Sequence, residues 1–131
     1  MPEDRKIFDF ECVGVTLVLI PSGQFTEFRD HDIRNAYNEA YRMVTQPEVR
    51  HLLVDFSGLT YFGSTFVGIL IRLAKKVRGD GGQAVLCHLT DDMREMMNRL
   101  MLLEKPRIES SWKNFATRQE ALAFLGGEST S

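Results

Sequence analysis

Two cysteines, one tryptophan and four prolines in 131 residues leave little room for several kinds of protein. Cys12 and Cys87 stand far apart with no CxxC or CxxH spacing, which excludes a zinc-finger signature and a disulfide framework and fits a reducing cytoplasm. Sixteen Lys and Arg against eighteen Asp and Glu give a net charge of -2, well mixed along the chain. No basic block offers a phosphate-backbone footprint, so a nucleic-acid partner is not expected. The apolar runs are broken by Gly or Arg well short of a bilayer span, and the opening "MPEDRKIFDF" carries acids at once. Neither an export segment nor direct membrane insertion is therefore expected. Also missing after any strand-like run are the GxSxG elbow, the GxxxxGK[ST] loop and the GxGxxG fingerprint. "GDGG" falls between a helix end and a strand, the place for a C-cap and turn and the wrong side for a phosphate cradle. No catalytic residue, cofactor or metal follows from these patterns, and an ordinary hydrolase or transferase is not expected.

What the chain does have is 44% hydrophobic residues, enough for one core and too short for two ordinary domains. A single domain over 1–131 is expected, with an ordered core from about Ile7 to Leu125 and a short polar tail over 126–131. "IFDFECVGVTLVLI" reads as a hairpin turning near Gly14, and "PSGQF" punctuates the chain after it. Ile33, Ala36, Tyr37, Ala40 and Val44 recur at helical spacing before Pro47. The runs Leu52 to Phe56 and "AVLCHL" are short and apolar, as suits strands buried on both faces, with a helical segment to Val77 between them. That strand, helix, strand order predicts parallel pairing. Met93, Met96, Met97, Leu100 and Met101 form an amphipathic stripe started by Thr90, Asp91 and Asp92, with Glu95 and Arg99 able to pair on its wet side. "RIES" reads as a short edge strand. Thr117 and Glu120 fit a capping box ahead of a last helix that Gly126 and Gly127 are expected to end.

Few side chains promise chemistry. His31, His51 and His88 are dispersed, and none stands at a spacing that pairs it with a second ligand or a nucleophile. His88 follows a strand, and strand carboxyl ends in α/β folds commonly form a functional rim. Asp55 ends another strand without a second carboxylate in register for acid–base work. The methionine stripe serves as core or as an adaptable binding surface. In the helix after Ser64, Val67, Leu70, Ile71, Ala74 and Val77 make a core stripe, which Phe66, Ile69 and Leu73 widen. Either that helix is enclosed by its neighbours or part of it meets a partner protein.

In "YFGSTFVG", Ser64 and Thr65 stand where this helix begins. An N-cap serine there stabilises by about 1 kcal/mol. The same helix start, with free amides and a positive dipole end, also suits a phosphate group.

The run from "VRHLLVDFSGL" through "GGQAVLCHLTDDMREMMNRLMLL", with "PSGQF" before it, resembles the STAS domain of bacterial anti-sigma-factor antagonists over most of the chain. The resemblance implies an α/β fold: a small mixed β-sheet of four to five strands with about four helices packed mainly on one face. It implies a non-enzymatic, cytoplasmic switch protein that binds an anti-sigma factor of the GHKL serine kinase type. Phosphorylation of one serine ends that binding, and a cognate phosphatase restores it. Ser64 falls on the phospho-acceptor position and Thr65 on the hydroxyl residue after it. Gly23, Gln24, Phe25, Thr26, Gly63, Thr65, Phe66 and Ile69 fall at the implied partner surface. Where the family commonly shows Asp-Ser-Ser-Gly-Leu-Gly, this chain has Gly63-Ser64-Thr65-Phe66-Val67-Gly68, and Thr26 stands where an acid is often found. A subunit that is never phosphorylated, acting as an adaptor in a signalling assembly or lipid-transport ATPase complex, is the alternative.

Overall fold

The computed structural model describes residues 8–21, 30–57, 64–99 and 113–129. Strands β1 (Phe8–Val13) and β2 (Thr16–Pro21) pair antiparallel, closing on Val13↔Thr16 with only Gly14 and Val15 between them. Gly14 has φ 61 while Val15 does not share the positive sign. That is the φ signature of a II′ turn, whose twist matches that of the flanking strands and whose first central position favours glycine.

From β2 the sheet grows by parallel additions, each needing a helical crossover. Helix α1 (Asp30–Val44) leads to β3 (His51–Asp55), α2 (Ser64–Gly79) to β4 (Ala84–Cys87), and α3 (Asp91–Arg99) to β5 (Lys113–Phe115). The sheet order is β1-β2-β3-β4-β5, so chain order and spatial order coincide. Helix α4 (Arg118–Ser129) follows β5 directly.

Side chains alternate across each strand, so every strand contributes to two separate cores. Leu17, Leu19, Leu52, Val54 and Leu86 face Ala40 and Val44 of α1, Leu70, Leu73, Ala74 and Val77 of α2, and Met93 and Met97 of α3. Val18, Leu53, Val85 and Cys87 face Ala121 and Leu125 of α4. Among the described residues, three helices thus share one face and α4 alone closes the other. Each fully buried leucine contributes roughly 1.5–3 kcal/mol through lost apolar hydration.

The helix ends show which residues set the boundaries. Thr90 Oγ1 accepts the Met93 amide at 3.1 Å and caps α3, whose Met93 and Met97 are core residues. Glu95 and Arg99 do pair, at 3.5 Å and largely exposed, a contact of little energetic weight. After α2, the Gly82 amide bonds the Val77 carbonyl and the Gly81 amide bonds the Arg78 carbonyl, with Gly81 at φ 91. This is a Schellman stop, with glycine in the left-handed position. A methyl on Gly82 would meet the Arg50 carbonyl oxygen at 1.7 Å, so the backbone ahead of β3 seats directly on this turn.

Two boundary expectations change. Glu120 Oε1 accepts the amide of Ala116 at 3.3 Å, one residue before the Thr117 amide of the standard box, while Thr117 Oγ1 accepts the Glu120 amide at 3.1 Å as expected. Gly126 and Gly127 do not end α4, which runs to Ser129. Glycine stops a helix by turning left-handed, and Gly126 stays out of the positive-φ region. The expected "RIES" strand lies outside the described residues; the edge strand found is Lys113–Phe115.

Candidate functional site at the carboxyl ends of the strands

Strand β3 ends in Asp55, whose carboxylate sits on the α4 face in step with Leu53. It is nearly sequestered, 2% exposed, and three groups meet it. The Ser57 amide donates to Oδ1 at 2.9 Å, an Asx-type turn that directs the chain out of the strand. Arg118 Nε donates to Oδ2 at 2.9 Å. The Cys87 thiol stands opposite Asp55 in the β3–β4 register, its sulfur within 4.8 Å of the carboxylate.

Arg118 is the first residue of α4, placed there by the Thr117 cap. Its second arm, Nη1, meets Glu11 Oε1 of β1 at 2.8 Å. One guanidinium therefore ties α4 to β3 and to the edge strand β1, passing over β2. Burial pushes the Asp55 carboxyl up, but the Ser57 amide and the Arg118 guanidinium outweigh it and hold the group below the usual carboxylate range. Burial, and then the negative charge of Asp55, push the Cys87 thiol up to about 12, so it is protonated at neutral pH.

His88 follows Cys87 with φ 61, the one non-glycine residue at positive φ among the described residues. In an extended strand its side chain would point away from that of Cys87; the left-handed turn brings it round. Ligand atoms of Asp55, Cys87 and His88 lie within 4.8 Å of one another. No histidine stands at a sequence spacing that pairs it with a second ligand, yet the fold brings His88 beside Asp55 and Cys87. Spacing along the sequence sees only local pairs, whereas this one depends on the register Asp55↔Cys87 across 32 positions. The readable signal was the matching position of both residues at strand ends.

Ser64 is the first residue of α2. In α3 and α4 the capping threonine precedes the first helical residue. Ser64 accordingly lies in the first turn of α2. Thr65 and Phe66 follow in the helix backbone. Gly63 and the Gly23, Gln24, Phe25 and Thr26 turn also lie outside the described residues. Ile69 is corrected as a partner contact: it is 5% exposed and packs in the core with Leu70 and Leu73. For these residues the apolar surplus of α2 is enclosed by its neighbours.

A hairpin followed by three parallel additions, with helices chiefly on one face and one buried carboxylate braced by arginine at the strand ends, defines a small α/β domain of mixed sheet. The chain belongs to the STAS domain family, whose model matches residues 8–121. Among solved structures it resembles an anti-sigma-factor antagonist (STAS) domain protein from Planctomyces limnophilus, with 22% identity, TM-score 0.74, and coverage of 91% of this chain and 97% of that one. A serine-to-glutamate variant of RsbS from Moorella thermoacetica is 14% identical with TM-score 0.74, covering 95% and 98% of the two chains. The Bacillus cell fate determinant SpoIIAA in its phosphorylated form is 18% identical with TM-score 0.65, covering 89% and 97%. No helix among the described residues is long and apolar enough to cross a membrane.

Proposed function

We propose that this protein is an anti-sigma-factor antagonist: a binding module without catalytic activity of its own, switched by phosphorylation of Ser64. The observation that carries the reading is the position of Ser64 in the first turn of α2, directly after the connection from the β3 rim, inside the stretch matched by the family model. SpoIIAA in its phosphorylated form shares the fold and supports the same reading.

The chemistry of the switch follows from the helix end. The first turn of α2 carries no acid, so its free amides and positive dipole end are not already neutralised there. A phosphate adds close to two negative charges, which this end tolerates. A partner seated over the same turn would have to desolvate that charge, and affinity falls. The partner is then an anti-sigma factor of the GHKL serine kinase type, which both binds the turn and modifies it, with a cognate phosphatase resetting the cycle in the cytoplasm. Thr65 is the alternative acceptor. Gly23, Gln24, Phe25, Thr26, Gly63, Thr65 and Phe66 supply the partner contacts, while Ile69 is a core residue.

Incubation with the cognate kinase and ATP, followed by mass spectrometry, should place phosphate on Ser64. Ser64→Asp should weaken kinase binding at least tenfold. Modification at neither Ser64 nor Thr65, together with unchanged binding by the aspartate variant, would overturn the switch and favour an adaptor that is never phosphorylated.

A further inference from the structure

We propose that Asp55, Cys87 and His88 form a mononuclear site for a divalent transition-metal ion of the zinc type. The site does not depend on the Ser64 reading. Three different ligand types meet at the carboxyl ends of two adjacent parallel strands, their ligand atoms within 4.8 Å of one another. Metal–ligand bonds of about 2.0–2.3 Å put tetrahedral ligand atoms roughly 3.3–3.8 Å apart, so the trio closes with an adjustment of order 1 Å.

Two features of the backbone build this convergence. The parallel register sets Asp55 beside Cys87. His88 then takes φ 61, where a non-glycine residue is uncommon, and its ring returns to the side of the preceding thiol. Because Cys87 and His88 are adjacent in sequence, an extended backbone could not offer both to one ion.

The surroundings hold the first ligand in place. The Ser57 amide and the Arg118 guanidinium each occupy one carboxylate oxygen of Asp55, and each oxygen keeps a further lone pair for a metal. Such outer contacts orient metal-binding carboxylates. Arg118 is itself countered by Glu11 at 2.8 Å, so its charge is not set alone against the ion. A divalent cation, one carboxylate and one thiolate sum to zero. On binding, the Cys87 thiol gives up its proton to solvent as the sulfur–metal bond forms. His88, the most open of the three ligands, marks the entry side, and water completes a four-coordinate shell. Sulfur and imidazole donors select zinc-like ions over magnesium or calcium, which prefer oxygen.

Cobalt(II) is the probe. After EDTA treatment and its removal, titration of the reduced protein with Co2+ should give a thiolate-to-cobalt charge-transfer band and tetrahedral visible bands saturating at one ion per chain. Added Zn2+ should displace them. Cys87→Ser should abolish the charge-transfer band, and Cys12→Ser, which alters the exposed cysteine, should leave it unchanged. His88→Asn keeps a residue that tolerates positive φ and should weaken cobalt binding at least tenfold. Wild-type protein with no band at excess cobalt overturns the proposal, as does a band that survives Cys87→Ser or is lost in Cys12→Ser. Should Cys87→Ser not fold, unchanged affinity in His88→Asn overturns it alone.

Discussion

Replacing Arg118 by methionine removes a guanidinium while keeping an apolar stem of similar length. The carboxylate left behind, Asp55, has a side chain only 3% exposed, and Arg118 is 28% exposed. Breaking a fully buried pair costs about 3–5 kcal/mol because one charge is stranded without water. An exposed pair is worth roughly 0.2–1 kcal/mol. Asp55 keeps the Ser57 amide, and the arginine site is partly open, so Arg118→Met is expected to cost about 2–3 kcal/mol. Urea unfolding with EDTA present measures this without contribution from a bound ion. The cycle with Asp55→Asn isolates the pair: with the carboxylate already neutral, the arginine substitution should cost about 1 kcal/mol less. Glu11→Gln, at the half-exposed end, should cost under about 0.5 kcal/mol. If Arg118→Met cost no more than Glu11→Gln, or the two central substitutions were additive, the brace would have no energetic role and the reasoning from burial would fail.

Gly82→Ala drives a methyl into the Arg50 carbonyl and should destabilise by about 1–3 kcal/mol, read as a shifted urea midpoint with unchanged slope. Thr90→Ala removes the α3 cap and should cost about 1 kcal/mol in the same assay. Ser64→Asp supplies the acid that the first turn of α2 lacks. It should leave thermal stability equal or raised by about 0.3–1 kcal/mol while weakening kinase binding, and a variant that loses both would point to misfolding.

The fold was largely legible because each element carried its own local signal. The alternation around Gly14, the apolar runs of β3 and β4, and the caps at Thr90 and Thr117 each act within a few residues. Short apolar strands say nothing about which neighbour they meet, yet the crossover lengths restricted the pairing to parallel. Glycine as a helix terminator misled at Gly126, since the residue type permits a left-handed turn without requiring one. Ile69 looked surplus to the core because a single helix stripe was counted. The sheet meets three helices on that face, and a wider stripe is buried.

The strand-end cluster was less legible for a different reason. Asp55, Cys87 and Arg118 are separated by 32 and 31 positions and meet only through register and the packing of α4. No local pattern marks Arg118 as more than one cation after a cap. The positive φ of His88 is equally silent, because histidine adopts that conformation only where its surroundings impose it.

Arg118 and Glu11 are 107 residues apart in sequence. Because α4 is the last described element, a chain emerging from the ribosome can assemble the sheet and its three-helix layer before the opposite layer exists. Until α4 arrives, Val18, Leu53, Val85 and Cys87 remain wet. A chain stalled or clipped before α4 would therefore present an apolar sheet face, making this helix the guard against self-association during synthesis.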